Sequence, residues 1–175
     1  MAYTYSHLYG IPTTGLRFFT VYGPYGRPDM AYFSFTNQLV KGEPIKIYNN
    51  GDMKRDFTYI DDIVQGIINM LNCPPTGDNP AAVYNIGNHK PEDLLNFVET
   101  LERCLIQEGI IKHPAKKEFL PMQPGDVYQT CADVTPLMRD FGFKPSTSIE
   151  SGLCRFAKWY KEYNGAGQDA PCENG

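Results

Sequence analysis

Gly15-Leu16-Arg17-Phe18-Phe19-Thr20-Val21-Tyr22-Gly23-Pro24, running on as Tyr25-Gly26-Arg27-Pro28-Asp29-Met30-Ala31, is the stretch on which the reading of this chain turns. Its first part is dense in Leu, Phe and Val, is entered at Gly15 and is broken at Gly23-Pro24, which predicts a strand buried on both faces inside a parallel sheet. In open α/β sheets the ligand crevice lies beyond the carboxyl ends of the strands. The polar loop from Thr20 to Ala31, with its glycines, prolines and Arg27, is therefore placed where chemistry would occur. A buried strand followed by an ordinary surface turn fits the same pattern equally well.

Working outward, Met1 to Tyr9 reads as the last turns of a helix stopped at Gly10, with Pro12 soon after. On the other side, Tyr32 to Lys41 predicts a helix closed by Gly42, and Pro44 to Tyr48 alternates as a half-exposed strand. Asn49-Asn50-Gly51-Asp52 is turn chemistry. Arg55 to Ile60 predicts a short strand, and one of Asp61 and Asp62 is expected to cap a helix whose Ile63, Ile67, Met70 and Leu71 share a face. Val83 to Gly87 reads as a strand. Pro91 is expected to start a helix with Leu94, Val98, Leu101 and Leu105 on one side. Lys117 to Leu120 is a short strand, and Pro121 to Asp126, with two prolines and a glycine, is a loop. A closing helix carries Ile149, Leu153, Phe156, Tyr160 and Tyr163. The expected organisation is one globular domain over residues 1–163 and a disordered tail over 164–175.

At 175 residues, 42% of them hydrophobic, the chain has material for one core. A net charge of −4 with 16 scattered Lys and Arg argues against a nucleic-acid surface, which needs clustered cations. Cys73, Cys104, Cys131, Cys154 and Cys172 are odd in number and lack CxxC spacing, so a reducing cytoplasm is expected and neither a disulfide framework nor a zinc site. His7, His89 and His113 are dispersed, and no metal is expected. No 18-residue apolar run or signal-peptide core is present, so neither a membrane span nor a secretory leader is expected.

Two guanidinium groups offer anion chemistry. Arg55 follows a glycine turn at a strand mouth, and an arginine fork matches a phosphate bidentately. Pairing with Asp56 or Asp61 explains it as well. Arg27 is either an anion-binding residue on the crevice loop or a solvated charge. Tyr48, Phe33 and Phe57 offer flat faces for a base, although such aromatics also build cores. No nucleophile-base pair and no GxGxxG turn is present.

Taken together, Leu16 to Pro24, Gly26 to Ala31, Arg55 to Asp62, Tyr84-Asn85-Ile86-Gly87-Asn88 and Met122-Gln123-Pro124-Gly125-Asp126 resemble the extended short-chain dehydrogenases/reductases. Within them, the likeness is to NAD-dependent nucleotide-sugar epimerases of the UDP-glucuronate 4-epimerase type. The resemblance implies an α/β fold: the C-terminal, substrate-binding part of a Rossmann-type enzyme, with the last strand or strands of its parallel sheet. The family's glycine-rich NAD turn and its catalytic Tyr-x-x-x-Lys are absent from this sequence. The resemblance thus implies no catalytic residue in this chain, a chain inert by itself, and an NAD site whose main segment lies elsewhere.

By the same resemblance, Arg55 is expected to bind the diphosphate of a UDP-sugar. Lys46 and Tyr48, with Tyr32 and Phe33, would border the uridine, and Gln123 and Asp126 would lie near ribose and phosphates. Thr20 and Arg27 would meet the sugar carboxylate, and Val21 would touch the nicotinamide. In the family, NAD takes a hydride from sugar C4 while the tyrosine removes the hydroxyl proton, and the 4-keto sugar turns before the hydride returns. Other nucleotide-sugar epimerases, dehydratases or decarboxylases, and a non-catalytic binding module, are the alternatives. A homo-oligomer is expected, because a parallel strand with unpaired edges invites association.

Overall fold

The computed structural model describes residues 1–165. Of the expected tail, Asn164 and Gly165 end the last helix, and the remainder lies outside the described residues. In chain order the elements are α1 (Ala2–Tyr9), β1 (Thr13–Phe18), β2 (Thr20–Tyr22), α2 (Ala31–Lys41), β3 (Ile45–Ile47), β4 (Lys54–Tyr59) and α3 (Ile60–Leu71). They continue with β5 (Ala81–Ile86), β6 (Pro91–Asp93), α4 (Leu94–Gln107), β7 (Lys117–Phe119), α5 (Thr135–Phe141) and α6 (Ile149–Gly165). The strands form sheets in the orders β1-β5, β2-β4-β6 and β3-β7, with β1-β5 and β3-β7 parallel. The class is α/β with parallel pairing, as the sequence implies.

By its internal contacts the chain divides into two compact units, each assembled from three segments. Unit 1 comprises Met1–Val21, Lys54–Glu92 and Val127–Thr147, and unit 2 comprises Tyr22–Met53, Asp93–Asp126 and the chain from Ser148 onward.

In unit 1, three of the four residues of the apolar stripe predicted for α3 face the core: Ile63 and Met70 join Ile86 of β5, Ala132, Val134, Leu137 and Phe143 in one buried cluster and Ile67 packs against it, whereas Leu71, at the end of the helix, is exposed. Leu16, Phe19 and Val21 pack against it from the strand side. Each fully buried Leu, Ile or Phe in such a cluster stabilises by about 1.5–3 kcal/mol. Contrary to expectation, β1 is not buried on both faces. Gly15, Arg17 and Phe18 are exposed, because β1 has a strand partner only in β5 among the described residues and the core covers one face of it. Phe19 separates β1 from β2 and sends its amide to Ile86 O (3.1 Å), so the single long strand expected is two strands in different sheets.

Three further expectations are corrected. Neither aspartate caps α3: Tyr59 holds the cap position, Asp61 and Asp62 lie in the first turn, and Asp62 accepts the amide of Thr147 (3.0 Å). Carboxylates there still complement the helix dipole. Pro91 lies in β6, and α4 starts only at Leu94, after Asp93. Proline at a first helical position and proline at a strand edge look alike in sequence.

Disulfide chemistry is the third correction. Cys104 and Cys154 are joined, across 50 residues of sequence, while Cys73 and Cys131 are free and exposed. The odd count and missing CxxC spacing carried no information about this pair, because helix packing in unit 2 makes them neighbours. Among the described residues no helix is long and apolar enough to cross a membrane, and no group of three or more His, Cys, Asp or Glu is arranged to hold a metal.

Unit 2 is built on α2, α4 and α6. Leu39, Phe97, Leu101, Leu105, Leu153 and Phe156 are buried at helical spacing on these three helices. Gly42, at φ 70°, ends α2 in a left-handed turn that leads to β3. The short β3-β7 pair puts Lys46 opposite Glu118.

Candidate functional site

The sequence-selected residues fall into both units. In unit 1, Thr20 and Val21 lie on β2, and Arg55 lies on the neighbouring β4. All three are half-buried, and Val21 also packs on the core cluster. Arg55 is the second residue of its strand. Its Nη1 donates to the carbonyls of Lys54 (3.0 Å) and Tyr128 (3.2 Å). Backbone acceptors therefore orient the guanidinium at the amino end of β4, not at a carboxyl-end mouth.

Asp56, the next residue, points the other way along the pleat and is fully buried. Its carboxylate accepts the amides of Asn88 (2.7 Å), His89 (3.1 Å) and Ala132 (2.7 Å), and its own amide donates to Thr130 Oγ1 (3.1 Å). Asp56 is thus held by the backbone, which excludes the Arg55–Asp56 pairing. His89, at φ 57°, is fixed in a left-handed conformation by this grip, and its Nδ1 lies 2.7 Å from Ala132 O. Asp56 is the residue the sequence reading missed. In sequence it appears only as a neighbour of Arg55, and its three donors come from residues 32 or more positions away.

In unit 2, the loop after β2 is held from below by aromatic rings. Tyr32 is buried and donates its hydroxyl to Gly23 O (3.1 Å), and burial pushes its phenol above the usual tyrosine range, so it stays a donor. Gly26 makes this contact possible: a Cβ there would stand 1.6 Å from the Tyr32 hydroxyl. Tyr22 packs edge-on against Tyr32 (6.3 Å between centroids) and Phe97 (5.8 Å). Gly152 leaves room for the Tyr22 ring beside α6. Phe33 meets Phe156, Trp159 and Tyr160 at about 6 Å. Tyr32 and Phe33 therefore form the support of the loop rather than an open stacking surface.

Above this support, Tyr25 (φ 57°) lays its exposed ring on Trp159, 5.1 Å away. Arg27 extends into solvent with Asp29 as its partner, through Nε (3.1 Å) and Nη2 (2.8 Å). Both side chains are more than half exposed, so the pair is weak and Arg27 can exchange partners cheaply.

A second group forms around the β3-β7 pair of unit 2. Lys46 is exposed on β3 and Tyr48 is half-buried just after it. Leu120, which follows β7, donates its amide to Ile47 O (2.9 Å) and accepts from the amide of Asn50 (3.0 Å). These bonds bring the start of the Pro121–Asp126 loop alongside Tyr48. In that loop the Asp126 amide donates to Gln123 O (3.1 Å), a tight turn that leaves the Gln123 side chain exposed. Lys46 thus lies in the middle of β3, opposite Glu118, Tyr48 follows the strand end, and Gln123 and Asp126 lie in the loop that leaves β7 beside it.

The model of the NAD dependent epimerase/dehydratase family matches residues 1–87 of the chain. The chain is 49% identical to protein CapI of Staphylococcus aureus and 45% identical to a probable UDP-glucuronate 4-epimerase of Rhizobium meliloti, in each case over 93% of this chain. Those alignments cover 51% and 50% of the relatives, so the chain spans about half the length of the curated relatives it matches. Among solved structures, it is similar to the UDP-glucuronic acid 4-epimerase of Bacillus cereus in complex with UDP-glucuronic acid and NAD. That similarity has a TM-score of 0.78 at 33% identity and covers 93% of this chain and 49% of that one.

Proposed function

We propose that this chain is the sugar-nucleotide-binding portion of an NAD-dependent enzyme of the UDP-glucuronate 4-epimerase type, which inverts C4 of the sugar through a 4-keto intermediate. The observation that carries the reading is the 45% identity to a probable UDP-glucuronate 4-epimerase, sustained over 93% of the chain. In unit 1 the reading assigns Thr20 to the sugar and Arg55 to the diphosphate. In unit 2 it assigns Arg27 to the sugar carboxylate, Lys46 and Tyr48 to the uridine, and Gln123 and Asp126 to the ribose and phosphates. Tyr32 and Phe33 act one step back, as the support of the loop that carries Arg27.

A carboxylated sugar on a diphosphate carries about three negative charges, and arginine forks are suited to such groups. NAD supplies the hydride carrier in such enzymes, but the residues of this chain do not make its cradle. No GxGxxG turn and no Tyr-x-x-x-Lys occurs in the sequence, and Val21, assigned to the nicotinamide edge, has part of its surface on the core of unit 1. No proton- or hydride-transfer step falls to the described residues.

The reading also makes this a cytoplasmic protein that associates with further copies. Exposed free thiols at Cys73 and Cys131 suit a reducing compartment. Tyr3, Tyr5, Leu8 and Tyr9 of α1, with Phe18 of β1 and Val83 of β5, leave apolar surface exposed on unit 1. Light scattering tests the association, and a clean monomer removes it. Titration calorimetry of the 175-residue chain with UDP-glucuronate tests the substrate. Binding at least 10-fold tighter than that of UDP-glucose is expected, and a folded sample that binds neither at millimolar ligand overturns the assignment.

A further inference from the structure

We propose that Cys104 and Cys154 form a reversible thiol–disulfide site that fastens α4 to α6, with Cys154 as the sulfur that exchanges with low-molecular-weight thiols and disulfides. Three links tie these helices together in order: Arg103 to Glu150 (3.1 Å), Cys104 to Cys154, and Glu108 to Lys161 (3.8 Å). Their positions rise together along both helices, so the helices run side by side in the same direction. The sulfurs lie within this register and are kept close by Leu101, Leu105, Leu153 and Phe156, which are fully buried around them in sequence. Apolar packing, not the covalent bond alone, thus holds the two cysteines in reach of each other.

Both oxidation states are accommodated. Cys104 Sγ lies 3.8 Å from Glu150 O and Cys154 Sγ lies 3.7 Å from Gln107 Oε1. A disulfide sulfur has no proton to donate, so these oxygens acquire a role only on reduction, when each thiol finds an acceptor beside it. Opening the bond therefore leaves no buried thiol unsatisfied. The two cysteines differ in access: Cys104 is fully buried and Cys154 half-buried, which makes Cys154 the entry point.

The chemistry balances as two exchanges. The Cys154 thiolate attacks one sulfur of a small disulfide, which forms a mixed disulfide and expels one thiolate. The Cys104 thiolate then attacks the Cys154 sulfur and expels the second. Two protein thiols are oxidised, one small disulfide is reduced to two thiols, and the two protons pass to the leaving thiolates. A dithiol runs the sequence backwards.

The consequence reaches the loop that carries Arg27. Phe97 of α4 packs on Tyr22, Phe156 of α6 packs on Tyr32, and Trp159 of α6 packs on Tyr25. Oxidation ties the two helices that support this loop together covalently, and reduction leaves them joined by packing, ion pairs and weak thiol hydrogen bonds.

The test treats the 175-residue chain with oxidised glutathione or with dithiothreitol, alkylates it under denaturing conditions and maps the cysteines by mass spectrometry. After oxidation, two of the five cysteines are expected to resist alkylation, with the tryptic peptides of Cys104 and Cys154 joined. Melting followed through Trp159, the single tryptophan, is expected to occur about 5–10 °C higher in the oxidised form, and dithiothreitol reverses both changes. Cys154→Ser is expected to melt at one temperature under both conditions. Absence of the joined peptide, or wild-type melts that coincide, overturns the proposal whether or not the variant folds.

Discussion

Asp56 in unit 1 and Glu102 in unit 2 are both carboxylates withdrawn from water, and they are satisfied by opposite means. Asp56 takes three backbone amides, from Asn88, His89 and Ala132. Glu102 takes one amide, from Ala115 (3.1 Å), and the ammonium of Lys117 (2.7 Å). A backbone donor cannot leave without moving its segment, whereas the lysine, whose side chain is one-fifth exposed, can turn back to solvent. The contrast teaches where each unit is rigid. In unit 1 a carboxylate fixes the chain after β5 and the chain before α5, and in unit 2 it fixes a strand end through a partner that can be replaced by water.

The largest effect that probes this contrast is Asp56→Asn. The amide side chain keeps one acceptor oxygen but turns an NH2 group toward backbone amides that are themselves donors. Loss of about 3 kcal/mol or more is expected, measured by urea unfolding followed by circular dichroism. A loss below about 1 kcal/mol would mean that the amides find other acceptors. Next comes Gly26→Ala, which carries the contrast into unit 2, where the Tyr32 hydroxyl also depends on a backbone partner. The new methyl would occupy the hydroxyl's position and displace it from Gly23 O, at a cost of about 2 kcal/mol. If the loop binds the sugar, affinity for UDP-glucuronate falls with it. Glu102→Gln is expected to cost only about 1 kcal/mol, because the Gln oxygen still accepts from Ala115 and Lys117 reaches water. An equal loss for Asp56→Asn and Glu102→Gln would erase the distinction between the units.

Local chemistry accounts for what was legible in the sequence. Gly10 and Gly42 end helices at φ 64° and 70°, and Asn49 and Asn50 adopt the left-handed conformations that turn residues tolerate, so these boundaries were readable. The periodic faces of α3, α4 and α6 were readable too, except at the helix ends, where Leu71 and Tyr163 continue the period but are exposed. Illegible were features made by distant partners: the amides around Asp56, the sulfur of Cys154 beside that of Cys104, and the exposed second face of β1. The helix α5, only seven residues long, is too short to show a period and was not anticipated. For the candidate site, the motif blocks picked out Arg27 with its loop and Arg55 with its strand, yet they did not separate open rings from supporting ones. Tyr32 and Phe33 have the spacing and chemistry of a stacking surface, and only the positions of Phe156 and Trp159 show that they face into the helices.

The smallest effect concerns Asp133, a carboxylate that like Asp56 is held by a backbone amide, but at the surface. Its Oδ1 accepts the amide of Thr135 (3.0 Å) at the start of α5, and hydrogen bonding from the Thr135 side chain first, then from this amide, holds its carboxyl below the usual aspartate value. A folded-state value below the unfolded one means that the native form binds fewer protons, so the contribution is present above the unfolded value of about 3.9 and is lost as pH falls through the folded one. Asp133→Asn removes that increment. Melting temperatures of wild type and variant are therefore expected to differ slightly at pH 6 and to converge as the pH approaches 2. A gap that persists at the lowest pH would show that the carboxylate charge is not what secures the start of α5, and that only a buried carboxylate such as Asp56 draws stability from backbone amides in unit 1.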